Sequence, residues 1–236
     1  MADATVAEEE YLQMIFWLHE AGLPMTGANL ARAMQLSAPT VHEMVGRLVR
    51  DGYITRAADK SISFTDSGLE HAEAIVRRHR LIERFLTDVL KIPWDDVHEE
   101  AERLEHAMSP NLEARMLAAI GDATTCPHGH PIEPGTRIEG VPLGDTEEGA
   151  KVTVLRFESE AEDLLHLFMR EGFEPGRTGV VLSVDEGHVT VDFDDGQTAT
   201  LTRSVAETVS VLADPSPPPR VALPEQLVLG TERYGR

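Results

Sequence analysis

The chain has 236 residues, of which 41 are acidic and 21 basic, for a net charge of −20, and 42% of it is hydrophobic. That length supports two or three small domains, each with its own core, while the charge excludes broad, nonspecific affinity for nucleic acid, so a DNA contact must come from a local patch or follow neutralisation of acid. A single cysteine, Cys126, excludes an internal disulfide framework; with no charged-then-apolar leader and no bilayer-length apolar run, a cytoplasmic protein without a membrane partner is expected.

Residues 6–20 place Tyr11, Ile15 and Leu18 at helical spacing, with Leu12 and Phe16 widening the stripe, and Gly22 and Pro24 stop this helix. Thr26 caps a short second helix carrying Leu30 and Met34 inward. After a tight turn, Ser37 caps a third helix with Pro39 in its first turn, where a missing N–H costs nothing. Val41, Met44, Val45, Leu48 and Val49 form its core stripe, and it ends near Asp51-Gly52. Two β-prone runs, 53–56 and 61–65, then make a hairpin. Helix, helix, turn, helix and hairpin is the order of a winged helix-turn-helix, assigned to residues 1–74.

The exposed side of the third helix shows Thr40, His42, Glu43, Arg47 and Arg50, and the hairpin adds Arg56 and Lys60. Within 24–60 the bases Arg32, Arg47, Arg50, Arg56 and Lys60 outnumber Glu43, Asp51 and Asp59, so the locally basic stretch coincides with the recognition element. Ser37, Pro39 and Thr40 are expected to approach base edges or thymine methyls, with His42 and Glu43 on the same face. Arg47, Arg50 and Lys60 suit phosphates.

A long helix follows from about Asp66 to Leu90 and is broken by Ile92-Pro93; Asp95 and Asp96 open the next, and Ser109-Pro110 starts another that Gly121 ends. These make a helical domain over 75–121. Its apolar surplus, including Leu86, Val89, Leu90, Leu104 and Met108, suits a dimer interface. Residues 122–149 are rich in Gly, Pro and Thr and read as a linker; Cys126, His128 and His130 there lack a second ligand cluster at zinc-site spacing and read as a Pro-rich turn. Strand 151–155, helix 160–171 and strands 179–184, 188–193 and 198–202 describe a small SH3-like β-barrel over 150–212. The tail, 213–236, with PSPPPR, reads as a flexible arm. The fold class is mainly α with small β.

The chemistry lies in the middle. His79 and Glu83 stand one helical turn apart, and His98, Glu102, Glu105 and His106 keep one stripe on the next helix. Imidazole and carboxylate at these spacings suit a divalent transition metal; with no thiolate among them the set excludes a soft zinc cage and points to manganese or ferrous iron.

Ser37-Ala38-Pro39-Thr40-Val41, Arg78-His79-Arg80-Leu81, His98-x-x-x-Glu102-x-x-Glu105-His106 and the CPHGHPI linker, in this domain order, resemble the diphtheria-toxin-repressor (iron-dependent regulator) family over roughly 5–212. The resemblance implies a non-enzymatic, metal-dependent repressor of metal-homeostasis genes, binding palindromic operator DNA as a homodimer, with a FeoA-type barrel. It implies a primary metal site at Glu10, Glu102, Glu105 and His106, and a second at His79, Glu83 and His98, completed by Glu160 and Asp163 from one face of the barrel helix. Iron-responsive members place methionine and cysteine where Glu10 and Glu102 stand. Two carboxylates make the site harder and favour Mn2+, as in the manganese-responsive branch. Fe2+ is the alternative, and Zn2+ or Co2+ bind in vitro by the general affinity order. Glu10, Glu83, Glu102 and Glu105 would repel one another until a cation neutralises them, and metal binding would weaken as pH falls, since histidine ligates only when neutral. A di-metal helical enzyme is the weaker rival: its cage needs four helices with Glu-x-x-His on two of them.

Overall fold

The computed structural model describes residues 4–215, so the tail expected from 213 lies outside the described residues beyond Pro215. Helix α1 (Val6–Glu20) is entered through Thr5, whose backbone N–H and hydroxyl both donate to the Glu8 carboxylate at 2.7 Å. Helix α2 (Gly27–Ala33) and α3 (Ala38–Arg50) are capped by the Thr26 and Ser37 hydroxyls, as side chains of that kind satisfy the unpaired N–H groups of a first turn. Strands β1 (Ile54–Arg56) and β2 (Ile62–Phe64) pair antiparallel, Ile54 opposite Phe64. Leu12, Ile15, Leu30, Val45, Leu48 and Ile62 make their shared core, each such side chain contributing about 1.5–3 kcal/mol when fully buried.

Helix α4 (Asp66–Asp88) ties this unit to the next. Its first turn presses on the hairpin: a Cβ at Gly68 would sit 1.7 Å from the Tyr53 carbonyl oxygen, so only glycine allows the approach. Ala72, Ile75 and Val76 join the first core, whereas Leu81, Ile82 and Leu86 enter a second with Val97 and Ala101. That core also packs α5 (His98–Glu105) and α6 (Pro110–Ala119). Helix α5 begins at His98 rather than at Asp95. Asp95 and Asp96 sit in the preceding turn, where Asp96 Oδ1 lies 3.0 Å and Asp95 Oδ2 3.9 Å from His166 Nε2.

The expected dimer stripe divides. Leu86 and Met108 are buried in the protomer's own core, while Val89, Leu90 and Leu104 stay exposed, together with Leu112 and Leu117. The division follows the helix end: α4 stops at Asp88, so Val89 and Leu90 leave its inward face.

The C-terminal unit is an antiparallel six-stranded sheet in the order β3-β8-β4-β5-β6-β7. Its members are β3 (Val141–Pro142), β4 (Lys151–Phe157), β5 (Thr178–Val184), β6 (His188–Phe193), β7 (Thr198–Thr202) and β8 (Val209–Asp214). Helix α7 (Glu162–Glu171) covers it, and the one-turn α8 (Arg203–Ala206) leads into β8. Strand β8 lies between β3 and β4; it adds to the strands expected from the sequence, and β3 lies in the stretch expected to be linker. Trp94, in the α4–α5 turn, stacks on Phe157 with ring centroids 5.5 Å apart, and Phe157 stacks on Phe168 of α7 at 4.4 Å. This aromatic column seats the sheet against the helical domain.

Candidate metal centre

Three elements converge beside Trp94. Helix α4 presents His79 and Glu83, one turn apart and both buried, and the first residue of α5, His98, faces them. Glu83 Oε1 lies 3.0 Å from His79 Nε2 and 3.1 Å from His98 Nδ1. The third contributor is Glu160, whose Oε2 is 3.1 Å from His98 Nδ1. One donor atom from each of His79, Glu83, His98 and Glu160 lies within 4.8 Å of all the others.

Asp163 does not join them. Helix α7 starts at Glu162, so Glu160 stands in extended chain before it, and helical spacing does not align the two. Asp163 is exposed, and its Oδ1 accepts from the Leu164 N–H at 3.0 Å.

The linker supplies what the spacing argument passed over. Cys126, His128 and His130 are all buried. The Phe157 N–H donates to the His128 carbonyl at 3.0 Å and Cys126 N–H to the His130 carbonyl at 2.7 Å. Gly129 makes this crossing possible, with φ +94 and a notional Cβ only 2.0 Å from the Leu155 carbonyl oxygen. His128 Nε2 donates to the Trp94 carbonyl at 2.8 Å, which turns Nδ1 toward Glu83 Oε1 at 3.3 Å and Glu160 Oε1 at 3.5 Å. Glu83, Cys126, His128 and Glu160 make a second set of donors within 4.8 Å. His130 donates from Nε2 to the Phe157 carbonyl at 2.8 Å.

Electrostatics match the geometry. Burial opposes protonation of His79, but Glu83 and Glu105 outweigh it and hold this imidazole up at about 10. His98 and His128 are likewise raised against burial by the carboxylates around them. Glu83 and Glu160 are held well below the usual carboxylate range, although burial pushes the other way. Burial, then Glu83, lifts the Cys126 thiol. Glu83 Oε2 is buried with no hydrogen-bond partner among the described residues. An unpaired anionic oxygen is costly in such a place, so these residues fit a bound cation.

The other expected cluster is differently disposed. Glu10, on α1, feels Glu102, Glu105 and His106; burial first, then the two glutamates, raises its pKa. Glu105 Oε2 instead accepts from His79 Nδ1 at 2.6 Å and Gln13 Nε2 at 3.2 Å. His106 Nε2 is 3.3 Å from Glu105 Oε1, but its Nδ1 donates to Glu9 Oε2 at 2.7 Å. Glu102 Oε1 lies 3.4 Å from His98 Nε2. Glu9, unremarked in the sequence, thus occupies His106, and Glu105 and Glu102 bridge toward the first pocket.

On the winged helix, Ser37, Pro39, Thr40, His42, Glu43, Arg50 and Lys60 are exposed. The Ser37 and Thr40 hydroxyls are 2.7 Å apart, and Arg56 Nη1 donates to His42 Nδ1 at 3.3 Å. Arg47 is the departure: its Nε lies 2.9 Å from Glu8 Oε1, tying α3 to α1.

Comparison with known proteins accounts for the whole layout. The family model of the iron-dependent repressor N-terminal DNA-binding domain matches residues 3–62, that of its metal-binding and dimerisation domain 65–134, and the FeoA domain, an SH3-like unit, 141–213. The iron-dependent repressor IdeR of Mycobacterium tuberculosis is 33% identical over 222 residues, covering 86% of this chain and 95% of that protein. The diphtheria toxin repressor of Corynebacterium diphtheriae is 39% identical over 145 residues, 61% of this chain and 64% of that one. Among solved structures, a manganese-dependent transcriptional repressor in complex with manganese superposes with a TM-score of 0.79 at 33% identity, covering 87% of this chain and 99% of the other. The IdeR of T. acidophilum superposes at 0.74, with 26% identity, over 91% of this chain and 100% of that one. This is a family of transcriptional repressors and not of enzymes, which removes the di-metal catalyst as a reading. Winged helix, convergent histidine–carboxylate helices and terminal barrel therefore have one common explanation: the chain belongs to the iron-dependent repressor family.

Proposed function

We propose that this protein is a Mn2+-responsive repressor that binds a palindromic operator as a homodimer and controls metal-homeostasis genes. The observation that carries the metal preference is the pair of carboxylates, Glu10 on α1 and Glu102 on α5, beside Glu105 and His106. All four would hold the activating ion, and an oxygen-rich set suits a hard cation. The exposed Val89, Leu90 and Leu104 give the subunits an apolar surface to share.

The residues also suggest how an ion would reach the DNA. His106 Nδ1 already donates to Glu9 of α1, which leaves Nε2 to ligate beside Glu105 Oε1, so closing Glu10, Glu102, Glu105 and His106 on one cation would draw α1 and α5 together. That movement acts on the first turns of α1, which carry Glu9 and Glu10. Glu8, two residues before Glu10, grips Arg47 of the recognition helix, so a shift of α1 carries α3 with it. An energetic coupling of about 1–3 kcal/mol between such sites is enough to change operator affinity usefully. The ion itself supplies charge neutralisation and a fixed link between helices.

A second reading, Fe2+ as effector, is favoured by Gln13, an amide and not a further carboxylate beside Glu105, since fewer anionic oxygens make the site less hard. Fluorescence anisotropy on selected operator DNA, at fixed salt with chelator, Mn2+, anaerobic Fe2+ or Zn2+, separates them. Tight binding that needs metal and is strongest with Mn2+ is expected. Stronger activation by Fe2+ would replace the metal assignment, and binding indifferent to metal would overturn the repressor mechanism.

A further inference from the structure

We propose that the cleft between the recognition helix and the wing is a preformed seat for one phosphodiester of the operator backbone, held by His42, Arg56 and Lys60; this deepens the operator-binding reading above and rests on it. The cleft, of about 490 Å3, opens between the start of α2, the helix α3 and the β1–β2 hairpin. Gly27, Val41 and Val45 form its apolar wall, while His42, Arg56 and Lys60 stand exposed at its rim. Donors from helix and hairpin thus meet at one place, in a chain whose net charge is −20. Among the described residues neither Arg56 nor Lys60 has a carboxylate partner, whereas Arg47 of the same helix as His42 is taken by Glu8. The acid at the rim, Asp59, is turned back into its own turn: its Oδ1 accepts from the Ser61 N–H at 3.0 Å and from the Ser61 hydroxyl at 2.7 Å.

Arg56 fixes what His42 offers. A guanidinium can only donate, so the contact of Arg56 Nη1 with His42 Nδ1 at 3.3 Å makes Nδ1 the acceptor and puts the imidazole proton on Nε2. The neutral ring then presents a single N–H donor, which fits an anionic phosphate oxygen. The same contact turns His42 toward the wing. A helix lying in the major groove has a phosphate backbone along each flank, and the hairpin stands on one of those flanks, so backbone and not base edge is the target of this side chain.

Lys60 carries an independent mark of use. Its φ is +71, in the left-handed region that glycine enters freely and a residue with a Cβ enters only at a cost. It closes the hairpin turn, its N–H donating to the Ala57 carbonyl at 3.0 Å. Glycine would suit that turn better, and a lysine kept in strained backbone points to a task for its ammonium. Phosphate contacts set the register and orientation of a protein on the duplex without reading sequence, so the seat fixes how α3 lies in the groove.

The test is fluorescence anisotropy of the full-length, metal-activated protein on selected operator DNA over a range of salt, for wild type, His42→Ala, Arg56→Ala and Lys60→Gly. Lys60→Gly relieves the positive φ, so its urea-unfolding midpoint should not fall. Its operator affinity should nevertheless drop about tenfold, and the slope of log affinity against log salt should lessen by about one per half-site, as loss of one cation–phosphate contact requires. His42→Ala should weaken binding with the slope unchanged, because the ring is neutral, and its effect should shrink when Arg56 is already alanine. Operators with one uncharged methylphosphonate linkage locate the seat: a single linkage per half-site should cost wild type about tenfold and Lys60→Gly little more. A His42→Ala protein that loses base preference at one position, in selection from randomised half-sites, would make His42 a base reader and overturn the seat. So would a scan in which no linkage distinguishes wild type from Lys60→Gly. Wild type that binds no operator with any metal would remove the repressor reading and the seat with it, whereas normal wild-type binding with unaffected variants removes the seat alone.

Discussion

The two clusters of ligand-type residues sit side by side and differ in readiness. Around Glu83 and Glu160 the donors already face one another, drawn from α4, α5, the linker and the exit of β4. Around Glu10 they are distributed: His106 is held by Glu9, and Glu105 by His79 and Gln13. A preorganised set binds with little further ordering cost, so the pocket is suited to hold an ion. A set that must rearrange to bind couples binding to movement, so the split cluster is suited to be the switch. The shared members are the hinge between them, since Glu105 and Glu102 contact His79 and His98 of the pocket.

The contrast between pocket and switch is most sensitive at Glu83. Glu83→Gln removes one of the two carboxylates common to both donor sets, the one 3.0–3.3 Å from His79, His98 and His128, a kind of loss that costs up to about 3–5 kcal/mol. Urea unfolding of the metal-free protein should show that loss, and dialysis should leave the pocket without tightly held metal. Glu10→Ala acts on the switch instead. The pocket should retain its metal, while metal-stimulated operator binding falls about 10- to 100-fold, in line with a coupling of about 1–3 kcal/mol; unchanged stimulation would remove α1 from the mechanism.

A smaller change is a shift in preference. Glu102→Cys replaces a hard donor by a soft one and should raise activation by Fe2+ relative to Mn2+ in the anisotropy assay; an unaltered manganese preference would defeat the ligand assignment. The smallest effect concerns how the barrel is held. The hydrogen bond to Asp96 raises the His166 pKa above its usual value. A raised histidine contributes its full stabilisation below the unfolded value, about 6.5, and loses it as pH rises through the higher folded value. Being largely exposed, this pair is worth little. Hydrogen-exchange protection of α7, corrected for intrinsic rates, should fall modestly between pH 6 and pH 9 in wild type and stay flat in His166→Ala.

What the sequence revealed follows from how local its signals are. The winged helix was legible because each boundary carries a short-range cause, such as the Ser37 cap on Thr40 N–H or the Thr26 cap on Asn29 N–H. Helical spacing pairs His79 with Glu83 and His98 with Glu102; only the resemblance put His98 beside His79 and Glu83. Asp163 failed because spacing on a helix was applied to Glu160, which precedes that helix. Cys126 and His128 lie on irregular chain without periodicity, and they reach Glu83 only through Gly129 crossing β4 and Trp94 stacking on Phe157. Such long-range packing leaves no trace at fixed sequence intervals; the CPH triplet was the available signal. The tether of Arg47 to Glu8 was hidden for the same reason.

The division of labour between pocket and switch is tested most directly by adding Mn2+ stepwise to the metal-free protein. Bound metal per chain and operator affinity are followed in the same samples at fixed salt. The first ion should enter the pocket with affinity for DNA close to that of the chelated protein, and the rise should track the later ion at Glu10, Glu102, Glu105 and His106. A rise in affinity completed by the first ion bound would contradict it.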